Sequence, residues 1–183
     1  METKAPGWVR QLPNVLSTLR LALAVVFPIL PSEGRLPAVL VGGATDWLDG
    51  LIARRFGVQS TFGGLLDAVA DKAFVLSVLL TLAAADILAW WQVPLLVVRD
   101  AAVLFTALFF AARREWAAFG GMPARWPGKV TTILTFAFFV ALLIPALAGV
   151  RMPLFVATAG ASVIAGVDYL IRFARVLRGR TER

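Results

Sequence analysis

The chain has 183 residues, 60% of them hydrophobic and 16% charged, with a mean hydropathy of +0.82. A soluble domain is nearer half apolar, so that class is excluded, and so is disorder. Cys and His are both absent, which removes disulfides, thiol nucleophiles, zinc and haem ligation and imidazole acid–base chemistry, and leaves only oxygen-bound hard cations such as Mg²⁺, Mn²⁺ or Ca²⁺ as candidate metals. A net charge of +7, from 18 basic and 11 acidic residues, fits an anionic lipid surface in so apolar a chain, and nucleic acid is not expected as a partner.

Six stretches satisfy the requirement of about 20 apolar residues for a helix crossing a bilayer. In chain order they are residues 14–30, 35–56, 63–85, 92–112, 130–150 and 153–176, the fifth without a single charge. Loop-like punctuation separates them at 31–34, 57–62, near Asp86, at 119–128 and at 149–151. The expected fold is therefore all-α: a polytopic membrane protein of six transmembrane helices forming one domain over residues 1–183. Ahead of the first span, Trp8, Val9 and Leu12 with Lys4 and Arg10 read as a short N-terminal interfacial segment, with a loose tail over residues 1–7 as the alternative. The first span is too long and too polar at its start for a cleaved signal peptide and is expected to stay.

Basic residues gather on one side of these spans, among them Arg10, Arg54, Arg55, Arg113, Arg114, Lys129 and Arg172, against Arg35 and Arg151 on the other. Lys and Arg accumulate in cytoplasmic loops, so both termini are expected in the cytoplasm of a cell whose inner membrane holds the chain. Arg20, Lys72 and Arg99 fall inside spans and need reasons of their own.

Acidic residues inside lipid cost about 2.5 to 3.5 kcal/mol each. Asp46 and Asp49 on the second span and Asp67 and Asp71 on the third therefore carry an uncompensated cost on the order of 10 kcal/mol. At about 100° per residue the first pair lies about 60° apart and the second about 40° apart, so each helix presents two carboxylates on one face. A short connection makes the two helices antiparallel neighbours and lets the four acids converge near the cytoplasmic ends, where they would hold one or two divalent cations. Gly42, Gly43, Gly50 and Ala53, with Gly63 and Gly64, leave room on the same faces. Two other readings remain open: helix caps or loop-end surface residues, and the ion path of a cation transporter, although no second copy of the acidic pattern follows as an inverted repeat would require.

From Asp46 to Asp71 the residues fit D-x2-D-G-x2-A-R-x8-G-x3-D-x3-D at every fixed position: Asp46, Asp49, Gly50, Ala53, Arg54, Gly63, Asp67 and Asp71. This resembles the signature of the CDP-alcohol phosphatidyltransferases. Weaker similarity extends over Leu12–Ser17 with Arg20, Asp71–Lys72, Arg99–Asp100 and Gly128–Thr132. The resemblance implies a six-helix membrane core, often dimeric, that displaces CMP from a CDP-linked lipid by an acceptor hydroxyl. It implies two Mg²⁺ or Mn²⁺ ions on Asp46, Asp49, Asp67 and Asp71, with Asp71 also the general base. Spacing alone does not say which of the four takes the proton; a carboxylate is the base type available to a chain without His.

By the same similarity, Gly50, Arg54 and Ser60, with Asn14, Val15, Leu16 and Ser17 of the first span, contact the CDP-lipid. Arg54 also has an ordinary reading as a topology anchor. Arg99, Arg113, Lys129 and Arg172 form a candidate basic pocket for an anionic acceptor, with a buried structural pair of Arg99 and Asp100 as the alternative. The donor implied is CDP-diacylglycerol. Asp71–Lys72 and Gly128–Lys129 look like phosphatidylglycerophosphate synthases, which use glycerol 3-phosphate; Arg99–Asp100 and Asp168–Tyr169 look like cardiolipin synthases, which use phosphatidylglycerol. Ala68 stands where such members commonly carry Pro.

Overall fold

A computed structural model describes residues 7–56, 61–113 and 126–181. Among the described residues all regular structure is helical: α1 (Gly7–Val26), α2 (Ser32–Phe56), α3 (Thr61–Ala84), α4 (Gln92–Ala112), α5 (Trp126–Leu143) and α6 (Arg151–Thr181), with 3-10 turns at Phe27–Ile29 and Pro145–Val150. Each long helix overlies one expected span. Three segments, Gln11–Ile29, Gln92–Phe110 and Pro145–Arg178, are long and apolar enough to cross a membrane, and Gly128–Leu143 is a shorter apolar helix. Helices α2 and α3 are as long but interrupted by charge.

Boundaries differ from expectation where local chemistry intervenes. Residues 7–12 continue into α1 through Pro13 instead of forming a separate segment; residues 1–6 lie outside the described residues. The fifth helix was expected to run to 150 but ends at Leu143, because Ile144 precedes Pro145 and is extended (φ −101, ψ 113), the conformation that proline imposes on its predecessor. Arg151, expected as a loop cation, opens α6 and turns back: its Nε and a terminal nitrogen donate to the carbonyls of Ala141 and Leu142 at 2.9 and 3.0 Å. It thereby satisfies acceptors that the last turn of α5 leaves open. The turn expected near Asp86 is a Schellman closure: Asp86 has φ 54, its N–H donates to the Ala83 carbonyl at 3.2 Å, and the Ile87 N–H donates to that of Leu82 at 3.0 Å. With 31 residues, α6 is about 46 Å long by its rise, more than the roughly 30 Å of hydrocarbon.

Residues 1–88 and 89–183 form two compact units. In the first, α1 packs against both α2 and α3, which among the described residues touch each other over only a short stretch. Phe27, Phe74, Val78, Leu79 and Leu82 are buried there, with the Phe27 and Phe74 rings edge to face at 6.1 Å. The Ser77 hydroxyl donates across to the Ala24 carbonyl at 2.6 Å. Gly42 is required where α2 meets α3, since a Cβ there would overlap the fully buried Phe74 ring. Gly42→Ala is therefore expected to lose about 1 to 3 kcal/mol through overpacking, read as a lower melting temperature in detergent. Adding Phe74→Leu should return part of that loss, and equal melting of Gly42→Ala and parent would contradict the close approach.

In the second unit, α6 packs on both α4 and α5. Hydroxyls link the helices: Ser162 donates to the Leu96 carbonyl at 2.9 Å and Thr158 to the Leu134 carbonyl at 3.3 Å. Phe105, Phe109 and Phe110 all stand edge to face with Phe173. Long apolar side chains such as Val25, Ile29, Leu104, Ile133 and Ile164 remain exposed, a surface suited to lipid.

Candidate active site

The carboxylates of α2 and α3 meet through α1. Arg20 is fully buried, and its guanidinium nitrogen lies 3.0 Å from Asp67 Oδ1 and 3.4 Å from Asp46 Oδ1. One turn earlier, the buried Ser17 hydroxyl donates to the Pro13 carbonyl at 3.0 Å and stands 3.4 Å from the same Asp67 oxygen. Ser17 and Arg20 are three residues apart, so they share a face of α1, and that face is turned to the acids. Asp71, one turn beyond Asp67, accepts from the Lys72 ammonium at 3.1 Å through Oδ2, while its Oδ1 is buried with no hydrogen-bond partner. The charges of Asp67, Asp71, Arg20 and Lys72 all act on Asp46.

The structure thus brings together Asp46, Asp67, Asp71 and Ser17 from the expected set. Among the described residues no three acids stand close enough to share one ion; Arg20 occupies the position between Asp46 and Asp67. Asp49, Gly50 and Arg54 lie on α2, but their side chains are outside the described residues, and Ser60 is outside them altogether. On α1, Asn14 and Leu16 are half-buried and Val15 is exposed; the Asn14 carbonyl accepts from Thr18 at 2.8 Å. Arg20 is the residue that the candidate set left out. The signal was present: a cation in an apolar span, three residues from Ser17, has to be paired or wet.

In the second unit, half-buried Arg99 donates to the Thr132 hydroxyl at 3.1 Å. A Cβ on Gly128 would come within 3.4 Å of an Arg99 terminal nitrogen, so the bare first turn of α5 lets the guanidinium lie against it. Lys129, next in sequence, is exposed. Arg172 pairs with Asp168 at 2.7 Å and lies over the Tyr169 ring at 4.7 Å, and the charges of both Arg172 and Arg99 act on Tyr169. Arg113 stands elsewhere, exposed and over the Phe109 ring at 4.8 Å. It is fourteen residues along α4 from Arg99, about 21 Å by helical rise, and is not brought to the same place.

Acids of the 46–71 signature gathered around Arg20 on apolar helices agree with what comparison with known proteins finds. The family model described as CDP-alcohol phosphatidyltransferase matches residues 10–165. The chain belongs to the CDP-alcohol phosphatidyltransferase family. It is 32% identical over 184 residues to a Mycobacterium tuberculosis protein named "Probable phosphatidylglycerophosphate synthase", covering 93% of this chain and 85% of that one. A Yersinia pestis protein named CDP-diacylglycerol--glycerol-3-phosphate 3-phosphatidyltransferase is 32% identical over 148 residues, 78% of each chain. A Mycobacterium bovis protein named "Putative cardiolipin synthase" is 35% identical over 137 residues, 72% of this chain and 62% of that one. As a member of this family the protein is a phosphatidyltransferase of lipid metabolism, and its apolar helices make it an integral membrane enzyme.

Proposed function

We propose that this phosphatidyltransferase moves the phosphatidyl group of CDP-diacylglycerol onto glycerol 3-phosphate, giving phosphatidylglycerophosphate and CMP. The observation that carries this reading is the gathering of Asp46 and Asp67 around Arg20, with Asp71 one turn away holding a buried, unpartnered oxygen. Asp46, Asp49, Asp67 and Asp71 would hold two divalent ions, Mg²⁺ or Mn²⁺. The donors suit hard cations, being all oxygen, and the orphaned Asp71 Oδ1 lacks a donor or cation of the kind a buried carboxylate requires. When bound, such ions neutralise the diphosphate charge as CMP leaves.

Asp71 takes the proton of the acceptor hydroxyl as that oxygen bonds to the phosphatidyl phosphorus and the bond from phosphorus to the departing CMP oxygen breaks. Lys72, 3.1 Å from Asp71 Oδ2, holds one carboxylate oxygen and leaves the other open to the acceptor. Asn14, Val15, Leu16, Ser17, Gly50, Arg54 and Ser60 make up the CDP-lipid side. Arg99, aimed by Thr132 and Gly128, serves the acceptor phosphate together with Lys129 and Arg172. The six helices form one membrane domain, supported by a family match that runs across both compact units. Both termini and the acids face the cytoplasm from the cell inner membrane, and the enzyme works as a homodimer.

The test is purified enzyme with labelled CDP-diacylglycerol and a panel of acceptors, read by mass spectrometry. Phosphatidylglycerophosphate and CMP are expected in equal amounts with Mg²⁺ or Mn²⁺, and none in excess EDTA; Arg99→Ala should raise KM for glycerol 3-phosphate more than for the CDP-lipid. Cardiolipin formed from phosphatidylglycerol would establish the second reading, which the similarity to the Mycobacterium bovis protein favours. Cation flux across liposomes without CDP-lipid consumption would overturn both.

A further inference from the structure

A cleft of about 440 Å³ opens in the first unit between the end of α1, the start of α2 and the end of α3. Its wall is apolar, with Pro28, Leu80 and Ala84, and Arg35 and Thr81 supply polar atoms. Arg35 is half-buried, and its Nε is buried with no hydrogen-bond partner. An unpaired buried guanidinium nitrogen is costly and calls for an anionic acceptor.

The cleft is remote from the acids. Arg35 precedes Asp46 by eleven residues on α2 and Thr81 follows Asp67 by fourteen on α3, about 16 and 21 Å by helical rise. Arg35 therefore marks the opposite end of the first unit, and it is one of the few cations on that side of the spans.

We propose that this cleft binds one membrane glycerophospholipid, with its phosphodiester on Arg35 and an acyl chain along Pro28, Leu80 and Ala84. Leu80 and Ala84 are exposed, so the apolar wall opens outward, where a lipid chain can lie and a free anion gains nothing. Two exposed acids, Glu33 and Asp86, adjoin the cleft in sequence, beside Arg35 and Ala85. The backbone amide and the Ser32 hydroxyl hold the Glu33 carboxyl below its ordinary range, so it stays negative. One arginine beside two acids suits a single phosphodiester and disfavours a polyanionic headgroup. The inference does not rest on the proposed reaction.

The test is native mass spectrometry of the full chain in detergent, titrated with dioleoylphosphatidylethanolamine, dioleoylglycerol or inorganic phosphate. The parent should retain one phospholipid in preference to the other two probes. Arg35→Gln should weaken that retention roughly tenfold, the equivalent of one charge-assisted hydrogen bond. Ala84→Trp, which fills the cleft and leaves Arg35 in place, should do the same while CMP release continues. Unchanged retention in Ala84→Trp overturns the proposal, as does inorganic phosphate binding as tightly as the phospholipid. A photoreactive residue at 84 that captures a second copy of this chain instead of lipid overturns it too. Should Arg35→Gln fail to fold, Ala84→Trp decides alone.

Discussion

Asp71→Asn is expected to fold as the parent does and to release CMP roughly 10² to 10⁴ times more slowly, the range that a positioned general base supplies. The structure explains why folding should survive. Among the described residues Asp71 pairs with Lys72, beside it in sequence at 3.1 Å, and that lysine is itself 37% exposed. The second Asp71 oxygen is buried without a hydrogen-bond partner. Asparagine keeps an acceptor for Lys72 and the same volume, but has no carboxylate to take a proton. Unaltered melting together with lost CMP release is the expected pair of results. Normal CMP release would remove Asp71 from the reaction, and an unfolded variant would show that its charge is structural.

Arg20→Met is expected to do the reverse, striking stability first. Arg20 is 0% exposed and faces two carboxylates whose side chains are 30% and 43% exposed. Breaking a buried pair typically costs about 3 to 5 kcal/mol because an uncompensated charge remains. With both acids partly accessible we expect about 2 to 4 kcal/mol, read as a large fall in melting temperature in metal-free detergent. The diagnostic part is the response to Mg²⁺. If these acids form the metal site, Mg²⁺ should stabilise Arg20→Met more than it stabilises the parent, because the ion meets charge that Arg20 otherwise neutralises. Equal Mg²⁺ responses in the two proteins would separate Asp46 and Asp67 from metal binding. Arg20→Lys keeps the charge but not the planar fork and should fall between them.

Much of this protein was legible one helix at a time. Composition and run length set the all-helical, apolar character. Helical periodicity placed Asp46 with Asp49, and Asp67 with Asp71, because angular separation along a single helix depends on nothing outside it. Where a local rule was overruled by a broad apolar run, the boundary came out wrong: Pro145 stops α5 at Leu143, although the hydropathy of residues 130–150 is uninterrupted. Arg151 likewise reads in isolation as a topology cation, yet two carbonyls of α5 claim its guanidinium.

What one helix turns toward another is a property of packing, and only the tertiary structure decided it. The acids were expected to meet by direct pairing of α2 with α3; α1 makes the main contacts with both instead, and brings Arg20 and Ser17 to them. Arg99 and Arg113 looked alike as intramembrane or near-membrane cations, but Arg99 lies against Gly128 and Thr132 while Arg113 lies on a phenylalanine. The sequence by itself determined which charges must be compensated, since the cost of a charge in lipid follows from its residue type and its span. The partner lies 26, 33 or 47 residues away in the pairs Arg20–Asp46, Arg99–Thr132 and Arg20–Asp67, and no periodicity spans such separations.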